Sequence, residues 1–205
     1  MLLEPHLAPG DGVLDIGGFD GAFAEGYAKC VGKTGHVVCV EPDIQSVQQA
    51  AKRTAAYPWV ELVHAACMDY AGTAVLYHDS VLRARNSLWR ANVVKDAGTT
   101  EEVPCVTLDV LAARVRRLKG IKIDAQGAER HILDGGTKTL QHPSLVWQIE
   151  LWPVGLMQAG SSVREVCERF REAGWQPSEG TWEETIAKVK QCHKPYGSAD
   201  IVVMR

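Results

Sequence analysis

The stretch Val13-Leu14-Asp15-Ile16-Gly17-Gly18-Phe19-Asp20-Gly21 leads from an apolar run through an acidic residue into a glycine-rich turn. A second apolar run, Val37-Val38-Cys39-Val40, ends in Glu41 roughly twenty residues further on, an interval typical of neighbouring strands in nucleotide-binding folds. The carboxyl ends of neighbouring parallel strands meet at one edge of a sheet. The two segments therefore predict a nucleotide-type cofactor pocket at that edge.

The spacing within the turn indicates which cofactor the pocket holds. Gly17 and Gly21 let the backbone approach a ligand, but the pattern D-x-G-x-x-x-G differs from the G-x-G-x-x-G that fits a pyrophosphate. Asp15, taken as the last strand residue, would repel a pyrophosphate and suits a ligand with a cationic amino group. S-adenosylmethionine has that amino group and a positively charged sulfonium. A tight turn without a ligand is the alternative, and Glu41, placed to accept both hydroxyls of a ribose, favours the cofactor.

Composition limits the other classes of function. The 205 residues are 46% hydrophobic and 23% charged, which predicts one globular domain over residues 1–205 with its own core. The net charge of −3 and scattered Lys and Arg predict no nucleic-acid partner. Six cysteines without a C-x-x-C pair disfavour a zinc site and indicate a reducing compartment. The first residues do not resemble a signal peptide and no long apolar run follows, so we expect a cytoplasmic protein away from membranes.

Predicted strands and helices alternate, which favours a mostly parallel sheet with helices on both faces. Asp43 and Thr107 are predicted helix N-caps, and Pro104 is expected to place its strand at an edge or end position. A polar excursion over the top of the sheet is predicted at about 79–100. The predicted strands are 12–16, 36–41, 60–63, 74–77, 103–106, 121–124 and 145–151, with a closing antiparallel pair at 175–177 and 200–204. The predicted helices are 21–32, 43–56, 108–118, 127–140 and 162–173.

A second signal is Ile121-Lys122-Ile123-Asp124-Ala125-Gln126-Gly127-Ala128-Glu129, where a strand carrying a lysine ends in Asp124 before another glycine turn. Glu150 ends the next strand. These two carboxylates are candidates to deprotonate an acceptor hydroxyl, to hold a sugar ring, or to bind a divalent metal, although no third ligand is evident. Helix capping is the alternative for Asp124 and Glu129. His131 is a weaker base candidate.

The segment after the third strand is interpreted as a loop that flanks an adenine. Ala66, Cys67 and Met68 leave room for the ring, and Asp69 is placed to accept its exocyclic amine. A simple turn with no ligand is the alternative.

In this order, DIGGFDG (15–21), VEPD (40–43), TLD (107–109), KIDAQGAE (122–129) and IEL (149–151) resemble the FkbM-type S-adenosylmethionine-dependent methyltransferases. The resemblance runs from about residue 12 to about residue 152, and KIDAQGAE is its most specific part. It implies an α/β, Rossmann-like class I methyltransferase sheet of about seven strands, mostly parallel with a reversed last strand. It also implies O-methylation of a hydroxyl on a sugar or secondary metabolite.

The resemblance carries roles onto particular residues of this chain. Asp15, Gly17 and Gly21 would contact the methionine end of the cofactor, while Asn86 and Ser87 match an N-S-L element near cofactor and acceptor. Independently of the resemblance, Asp124 and Glu150 are the predicted catalytic residues, either of which would position or deprotonate the acceptor hydroxyl, and no metal is expected. The predicted cofactor-binding residues are Asp15, Gly17, Gly18, Phe19, Asp20, Gly21, Glu41, Pro42, Ala66, Cys67, Ser87 and Asp124.

Two departures from the family pattern affect the expected chemistry. Gln126 stands where the family usually has an acidic residue, which weakens a metal interpretation. The first strand also begins close to the start of this sequence, without the helical extension that covers the acceptor pocket in many relatives. We therefore expect an open site, a large acceptor, or a lid from a partner subunit; a homo-oligomer is left open. The competing functions are a non-catalytic cofactor-binding or assembly domain and, with less support, an NAD-dependent oxidoreductase, which would need G-x-G-x-x-G.

Overall fold

The structure is a computed structural model that describes residues 2–93, 99–192 and 197–205. The described strands are β1 (Gly12–Ile16), β2 (His36–Glu41), β3 (Val60–His64), β4 (Ala66–Met68), β5 (Gly72–Tyr77), β6 (Thr100–Thr107), β7 (Leu118–Ile123), β8 (Val146–Leu151), β9 (Gln176–Pro177) and β10 (Ala199–Met204). The described α-helices are α1 (Ala22–Val31), α2 (Ile44–Thr54), α3 (Leu108–Ala112), α4 (Glu129–Asp134), α5 (Pro153–Gln158), α6 (Val163–Glu172) and α7 (Trp182–Lys190).

The main sheet has seven strands in the order β3-β2-β1-β7-β8-β10-β9. Strands β3, β2, β1, β7 and β8 pair in parallel, whereas β10 pairs antiparallel with both β8 and β9. This confirms the predicted α/β class, the mostly parallel sheet and its reversed last strand. The predicted antiparallel pairing near the end of the chain is also confirmed. Because β1, β2, β7 and β8 run in one direction, their carboxyl ends share one edge, where both sequence signals lie.

Both faces of the sheet are covered, because successive side chains of its central strands point to opposite sides. On one face, Val13 of β1 packs in a cluster with Tyr27 of α1. On the other face, Leu14 packs in a larger cluster with Ile132 of α4 and Phe170 of α6. Burial of each of these side chains contributes roughly 1.5–3 kcal/mol by area, so the fold is held from both sides.

A second, three-stranded sheet in the order β4-β6-β5 corrects two sequence predictions. The segment after β3 is not a simple loop, since it contains β4, which pairs in parallel with Cys105 to Thr107 of β6. Strand β6 is central rather than an edge strand, although it contains Pro104. The proline is tolerated because β4 begins its pairing only at Cys105, which leaves Pro104 with a partner, Thr73 of β5, on one side.

Several helix boundaries also differ from prediction. Asp43 caps α2 as expected, by accepting from the Gln45 amide, but the Thr107 side chain makes no capping bond to α3. Helix α3 is shorter than predicted, because the chain turns at residues 113–117, where Arg117 has φ +50°, before β7 begins at Leu118. Helix α4 ends before Gly135, where a Cβ would overlap the carbonyl oxygen of Met68. Helices α5 and α7 were not predicted.

The predicted excursion lies between β5 and β6 and contains two 3₁₀ turns, Arg83–Arg85 and Arg90–Asn92. Its part at 94–98 lies outside the described residues. Tyr77 and Ser87 exchange backbone hydrogen bonds, which fold the segment back towards the sheet edge. Within the described ranges, no helix is long and apolar enough to cross a membrane.

Candidate cofactor and catalytic site

A cleft of about 370 Å³ opens at the carboxyl edge of the main sheet, beneath residues 83–88. Glu41 lines it at the end of β2, and Asp124 and Glu150 line it at the ends of β7 and β8. The cleft thus brings together the two signals that are far apart in sequence. The predicted cofactor-binding residues that line it are Gly17, Gly18, Phe19, Asp20, Glu41, Pro42, Ala66, Cys67, Ser87 and Asp124.

The glycine turn has the shape that its sequence requires. The amides of Gly17 and Gly18 both donate to the carbonyl of Val40, which ties the end of β1 to β2. Gly17 has φ +74°, and a Cβ there would overlap the carbonyl oxygen of Asp124. Gly21 does not line the cleft; it precedes α1 with φ +80°, and a Cβ would lie 2.9 Å from Cα of Ala50. Packing of α1 against α2 therefore accounts for Gly21 better than a ligand contact.

Asp15 occupies a different place from the one expected. Strand β1 continues through Ile16, so Asp15 points to the α1 face, behind Gly18, and does not line the cleft. Its carboxylate is fully buried, 3.7 Å from the Lys122 ammonium nitrogen, and accepts no hydrogen bond from a described residue. Burial raises the pKa of Asp15, and the charge of Lys122 offsets part of that effect. Asp15 thus bears on the cleft through Lys122 rather than by touching a ligand.

Glu41 forms the other acidic wall of the cleft. Its two carboxylate oxygens accept from the backbone amides of Phe19 and Asp43, each at 2.9 Å. Phe19 has φ +47°, a left-handed conformation that this contact helps to hold. Burial raises the pKa of Glu41 to about 7, although both amide hydrogen bonds favour its ionised form. Each oxygen keeps a second lone pair that is available to a ligand hydroxyl.

Asp124 and Glu150 meet through Gln126. The Gln126 side-chain nitrogen donates to Asp124 Oδ1 at 2.9 Å and to Glu150 Oε2 at 3.2 Å. The ammonium group of Lys122 lies 3.2 Å from Asp124 Oδ2 and 4.5 Å from the centre of the Phe23 ring. The hydroxyl of Ser198, just before β10, donates to Glu150 Oε1 at 2.7 Å. Two carboxylates, a cation and an amide thus share one end of the cleft.

These surroundings separate the two acids. Burial opposes ionisation of Asp124, but the positive charge of Lys122 and hydrogen bonds from Glu150, Lys122 and Gln126 outweigh burial and lower its pKa. Burial, followed by the negative charge of Asp124, raises the pKa of Glu150 to about 8. Burial disfavours the ammonium form of Lys122, yet its two carboxylate neighbours raise its pKa. At neutral pH the pair therefore holds an ionised Asp124 and a protonated Glu150.

The loop after β7 is clamped from both sides. Glu129 is buried and accepts from the backbone amides of Ala125 at 3.0 Å and Gly127 at 3.1 Å, the capping role weighed in the sequence. Burial raises its pKa to about 7. From above, Ser87 Oγ and Asn92 Nδ2 donate to the Gln126 carbonyl at 3.0 and 2.9 Å. The excursion is thereby fixed to the loop that carries Asp124.

Besides Asp15 and Gly21, two further predicted residues do not line the cleft. Asp69 lies outside its lining, and its carboxylate is 3.3 Å from His131 Nδ1, so the adenine contact predicted for Asp69 is not supported. Strand β4 ends at Met68 and turns the chain away before Asp69. His131 stacks on Trp89 at 5.4 Å and is likewise no part of the cleft wall. Asn86 does line it, while its side chain accepts from the Asp79 amide.

Residues 15–177 match the model of the methyltransferase FkbM domain. The chain belongs to the FkbM methyltransferase family. This membership supports S-adenosylmethionine as the cofactor, in agreement with the sequence prediction. Comparison with the curated proteins gave no match.

Solved structures show the same fold. The FkbM methyltransferase from Methylobacillus flagellatus KT is similar, with a TM-score of 0.59 and 11% identity over 96% of this chain and 44% of that one. The present chain thus spans less than half the length of the Methylobacillus protein. A putative rRNA methylase from Clostridium thermocellum has a TM-score of 0.59 and 8% identity over 99% and 90%. Fibrillarin from Aeropyrum pernix, solved with natively bound S-adenosylmethionine, has a TM-score of 0.54 and 10% identity over 97% and 68%.

The cleft of this FkbM family member fits S-adenosylmethionine. The backbone of Gly17 and Gly18 lines the cleft, and Glu41 presents a buried carboxylate beside it. At the other end, Asp124 faces the region where a positively charged group would lie. Among the described residues, no three His, Cys, Asp or Glu side chains are arranged to hold a metal ion.

Sequence reasoning missed several residues of this site. Arg83 lines the cleft and lies 3.4 Å from Asp43 Oδ2, which joins the excursion to the start of α2. Asn92 holds the loop but carries no recognisable motif. Lys122 did have a signal, since a lysine inside an apolar strand must be paired when it is buried. Its partners became clear only from the register, which places Lys122 beside Asp15.

Proposed function

We propose that this protein is an S-adenosylmethionine-dependent O-methyltransferase that acts on a hydroxyl of a sugar or secondary metabolite. The observation that carries the proposal is the arrangement of carboxylates at the two ends of one cleft. Glu41 lies at the end beside the glycine turn, and Asp124 with Glu150 lies at the other. Family membership supports methyl transfer, and the pair of acids supports an oxygen nucleophile.

The cleft has a separate place for each part of the cofactor. The Glu41 carboxylate accepts hydrogen bonds from two hydroxyls of the ribose. It uses the lone pairs that are left free by its hydrogen bonds to backbone amides. Ala66 and Cys67 border the adenine, since they line the cleft with small side chains. The methionine end lies over the backbone of Gly17 and Gly18. This assignment follows the predicted roles of the lining residues, while Asp15 acts only from behind them.

When bound, S-adenosylmethionine supplies an activated methyl group that an acceptor oxygen attacks in line, and the electron pair of the broken C–S bond stays on sulfur. The residues of the cleft align the acceptor and keep water away. Asp124 is the base in this proposal, because Lys122 and Gln126 keep it ionised. It takes the hydroxyl proton as the new O–C bond forms. Glu150 holds a second hydroxyl of the acceptor by a hydrogen bond.

The acceptor side of the proposal has a physical basis in charge. Acidic groups line this end of the cleft and Lys122 is buried with carboxylate partners, so an uncharged polyhydroxyl acceptor is favoured over a phosphate or carboxylate. A small molecule or glycan with a free hydroxyl is therefore the proposed partner. The six free cysteines support a cytoplasmic location within this proposal.

The test starts with binding and then separates binding from chemistry. Calorimetric titration should detect S-adenosylmethionine binding and none of NAD, and a panel of hydroxylated acceptors should identify a methylated product. In Asp124→Asn, turnover should fall by about 10²–10⁴-fold while the dissociation constant of the cofactor changes much less. An equal loss of turnover and affinity would make Asp124 a binding residue.

Asp69→Asn is the matched control, since Asp69 lies close by in the fold but outside the cleft. It should bind the cofactor and turn over like the wild type. Binding of S-adenosylmethionine without methyl transfer to any acceptor of the panel would favour the non-catalytic alternative. Binding of NAD in its place would overturn the proposal.

A further inference from the structure

Gln126 lies where the loop after β7 meets both carboxylates and the excursion above them. Its side-chain nitrogen contacts Asp124 and Glu150, and its carbonyl accepts from Ser87 and Asn92. Its backbone has φ +51°, a left-handed conformation that residues other than glycine rarely adopt. Such a conformation persists where surrounding contacts over-determine it. Both the main chain and the side chain of Gln126 are therefore fixed in place.

The amide group suits this position because of its hydrogens. An amide nitrogen carries two N–H bonds, so Gln126 donates one hydrogen bond to each carboxylate and exchanges no proton with either. A glutamate of the same length would put a third carboxylate oxygen where the nitrogen now lies, 2.9 Å from Asp124 and 3.2 Å from Glu150. Three ionised carboxylates at such distances require an extra proton or a cation.

Charge around the pair is uneven, which decides where a proton stays. The cation of Lys122 adjoins Asp124 at 3.2 Å, whereas Glu150 has a hydroxyl, 2.7 Å away, and the Gln126 amide as its donors. Glu150 has further negative charges nearby, which favour its neutral form. The titratable or charged groups that face the pair from neighbouring elements are Asp15 of β1, Lys122 of β7, Glu129 of α4 and Asp200 of β10.

We propose that Gln126 is a positioning residue that holds Asp124 and Glu150 as a pair with one proton between them. Asp124 is the ionised member that receives the acceptor proton, and Glu150 carries the shared proton and donates it as a hydrogen bond to the acceptor. The roles of Asp124 and Glu150 towards an acceptor rest on the proposed function, whereas the one-proton pair does not.

The test is a titration of carboxyl groups in the intact, cofactor-free protein, followed by carbon-13 NMR of labelled Asp and Glu side chains. Asp124→Asn and Glu150→Gln assign the two signals. In the wild type, the Glu150 signal should titrate near pH 8, with Asp124 already ionised. In Gln126→Met, which has similar length and no donors, the anions lose a hydrogen bond each, and both midpoints should rise by about one pKa unit.

Gln126→Glu gives the opposite test of the same idea. Its third carboxylate should raise the midpoints further, and Ca²⁺ or Mg²⁺ should lower them again and bind detectably by calorimetry, with no such response in the wild type. Gln126→Gly is the second deletion, because glycine tolerates the left-handed backbone if the methionine variant folds poorly. Gln141→Met, on the exposed surface, should leave every midpoint unchanged.

Two results would overturn the proposal: ionisation of both wild-type carboxyls in the ordinary acid range, or unchanged midpoints in Gln126→Met and Gln126→Gly. A purely structural role would lower stability without moving the midpoints. With an acceptor in hand, the acid limb of the kcat profile should move with the NMR midpoint of each variant. Failure of the wild type to bind S-adenosylmethionine would remove the proposed function and leave the titration result standing, so the two failures are distinguishable.

Discussion

Glu41 joins the ligand end of the cleft to the backbone around it. Its carboxylate fixes the amides of Phe19 and Asp43, and the same oxygens face the cleft. Because its pKa is about 7, its charge changes within the physiological range. A ribose hydroxyl binds more tightly to a carboxylate than to a neutral carboxyl. Under the proposed function, we therefore expect the affinity for the cofactor to depend on the protonation state of Glu41.

We predict that Glu41→Gln weakens S-adenosylmethionine binding by about 10–100-fold, since an amide accepts at one atom only and a charge-assisted bond is worth about 1.5–3 kcal/mol. In the wild type the affinity should increase as the pH rises through about 7, where Glu41 ionises. Calorimetry at several pH values measures both effects. The Glu41→Gln variant should lose this pH dependence. The control variant Glu61→Gln should keep it; Glu61 lies on β3 and forms an ion pair with Arg114. A wild-type affinity independent of pH would contradict the prediction.

At the scale of elements, the excursion is attached to the loop after β7 by two side chains. Ser87 and Asn92 both donate to the carbonyl of Gln126, and Asn92 also reaches the Gly155 carbonyl of α5 at 3.4 Å. Strand β5 holds the other end through its exchange of backbone bonds between Tyr77 and Ser87. The excursion above the cleft is therefore held in place by the loop after β7 that it covers.

We predict that Ser87→Ala and Asn92→Ala each lower the free energy of unfolding by about 0.5–2 kcal/mol, because each removes a partly buried hydrogen bond. The effects should not add, since the two donors share one acceptor. Thermal unfolding of both single variants and the double variant measures this coupling. Cofactor dissociation, followed by stopped flow, should become faster in all three. Ser144→Ala, on the surface, is the control, and strictly additive losses would argue against a shared clamp.

At the scale of the whole molecule, buried acids make stability depend on pH. Glu150 has a folded-state pKa of about 8, above its ordinary value of 4.5, so the folded state binds more protons between these values. Stability is then complete below the unfolded pKa and falls as the pH rises towards the folded one. Glu41 and Glu129, each with a pKa of about 7, contribute in the same direction.

We predict that the cofactor-free protein loses stability between about pH 4.5 and 8, and that Glu150→Gln removes part of this loss. The shift corresponds to a few kcal/mol, which solvent at the cleft mouth reduces to about 2 kcal/mol at alkaline pH. Thermal melts over this range, with Glu179→Gln as the surface control, measure the effect. Parallel curves for the wild type and Glu150→Gln would contradict it.

Local patterns in the sequence were sufficient to predict the main, mostly parallel sheet, but not the second sheet or helices α5 and α7. Apolar runs ending in Asp15, Glu41 and Asp124 located three parallel strands, because burial on both faces of a sheet demands such runs. The glycine at 17 and the turn at 127 were predictable for the same kind of local reason, since both have positive φ. Resemblance to the FkbM family was then recognisable from the order and spacing of the motifs along the chain. The sequence alone thus determines the edge of the sheet at which the cleft lies.

Only the tertiary structure decided which side chains face the ligand. Asp15 and Asp69 have the residue type expected for binding. The alternation of side chains along β1 points Asp15 to the α1 face, and β4 ends before Asp69, which lies outside the cleft. Gln126 looked like the loss of an acid, yet register and loop closure place its amide between Asp124 and Glu150. Sequence specifies local backbone preference and periodic burial, whereas contacts between loops distant in the chain depend on how strands align, which no single segment encodes.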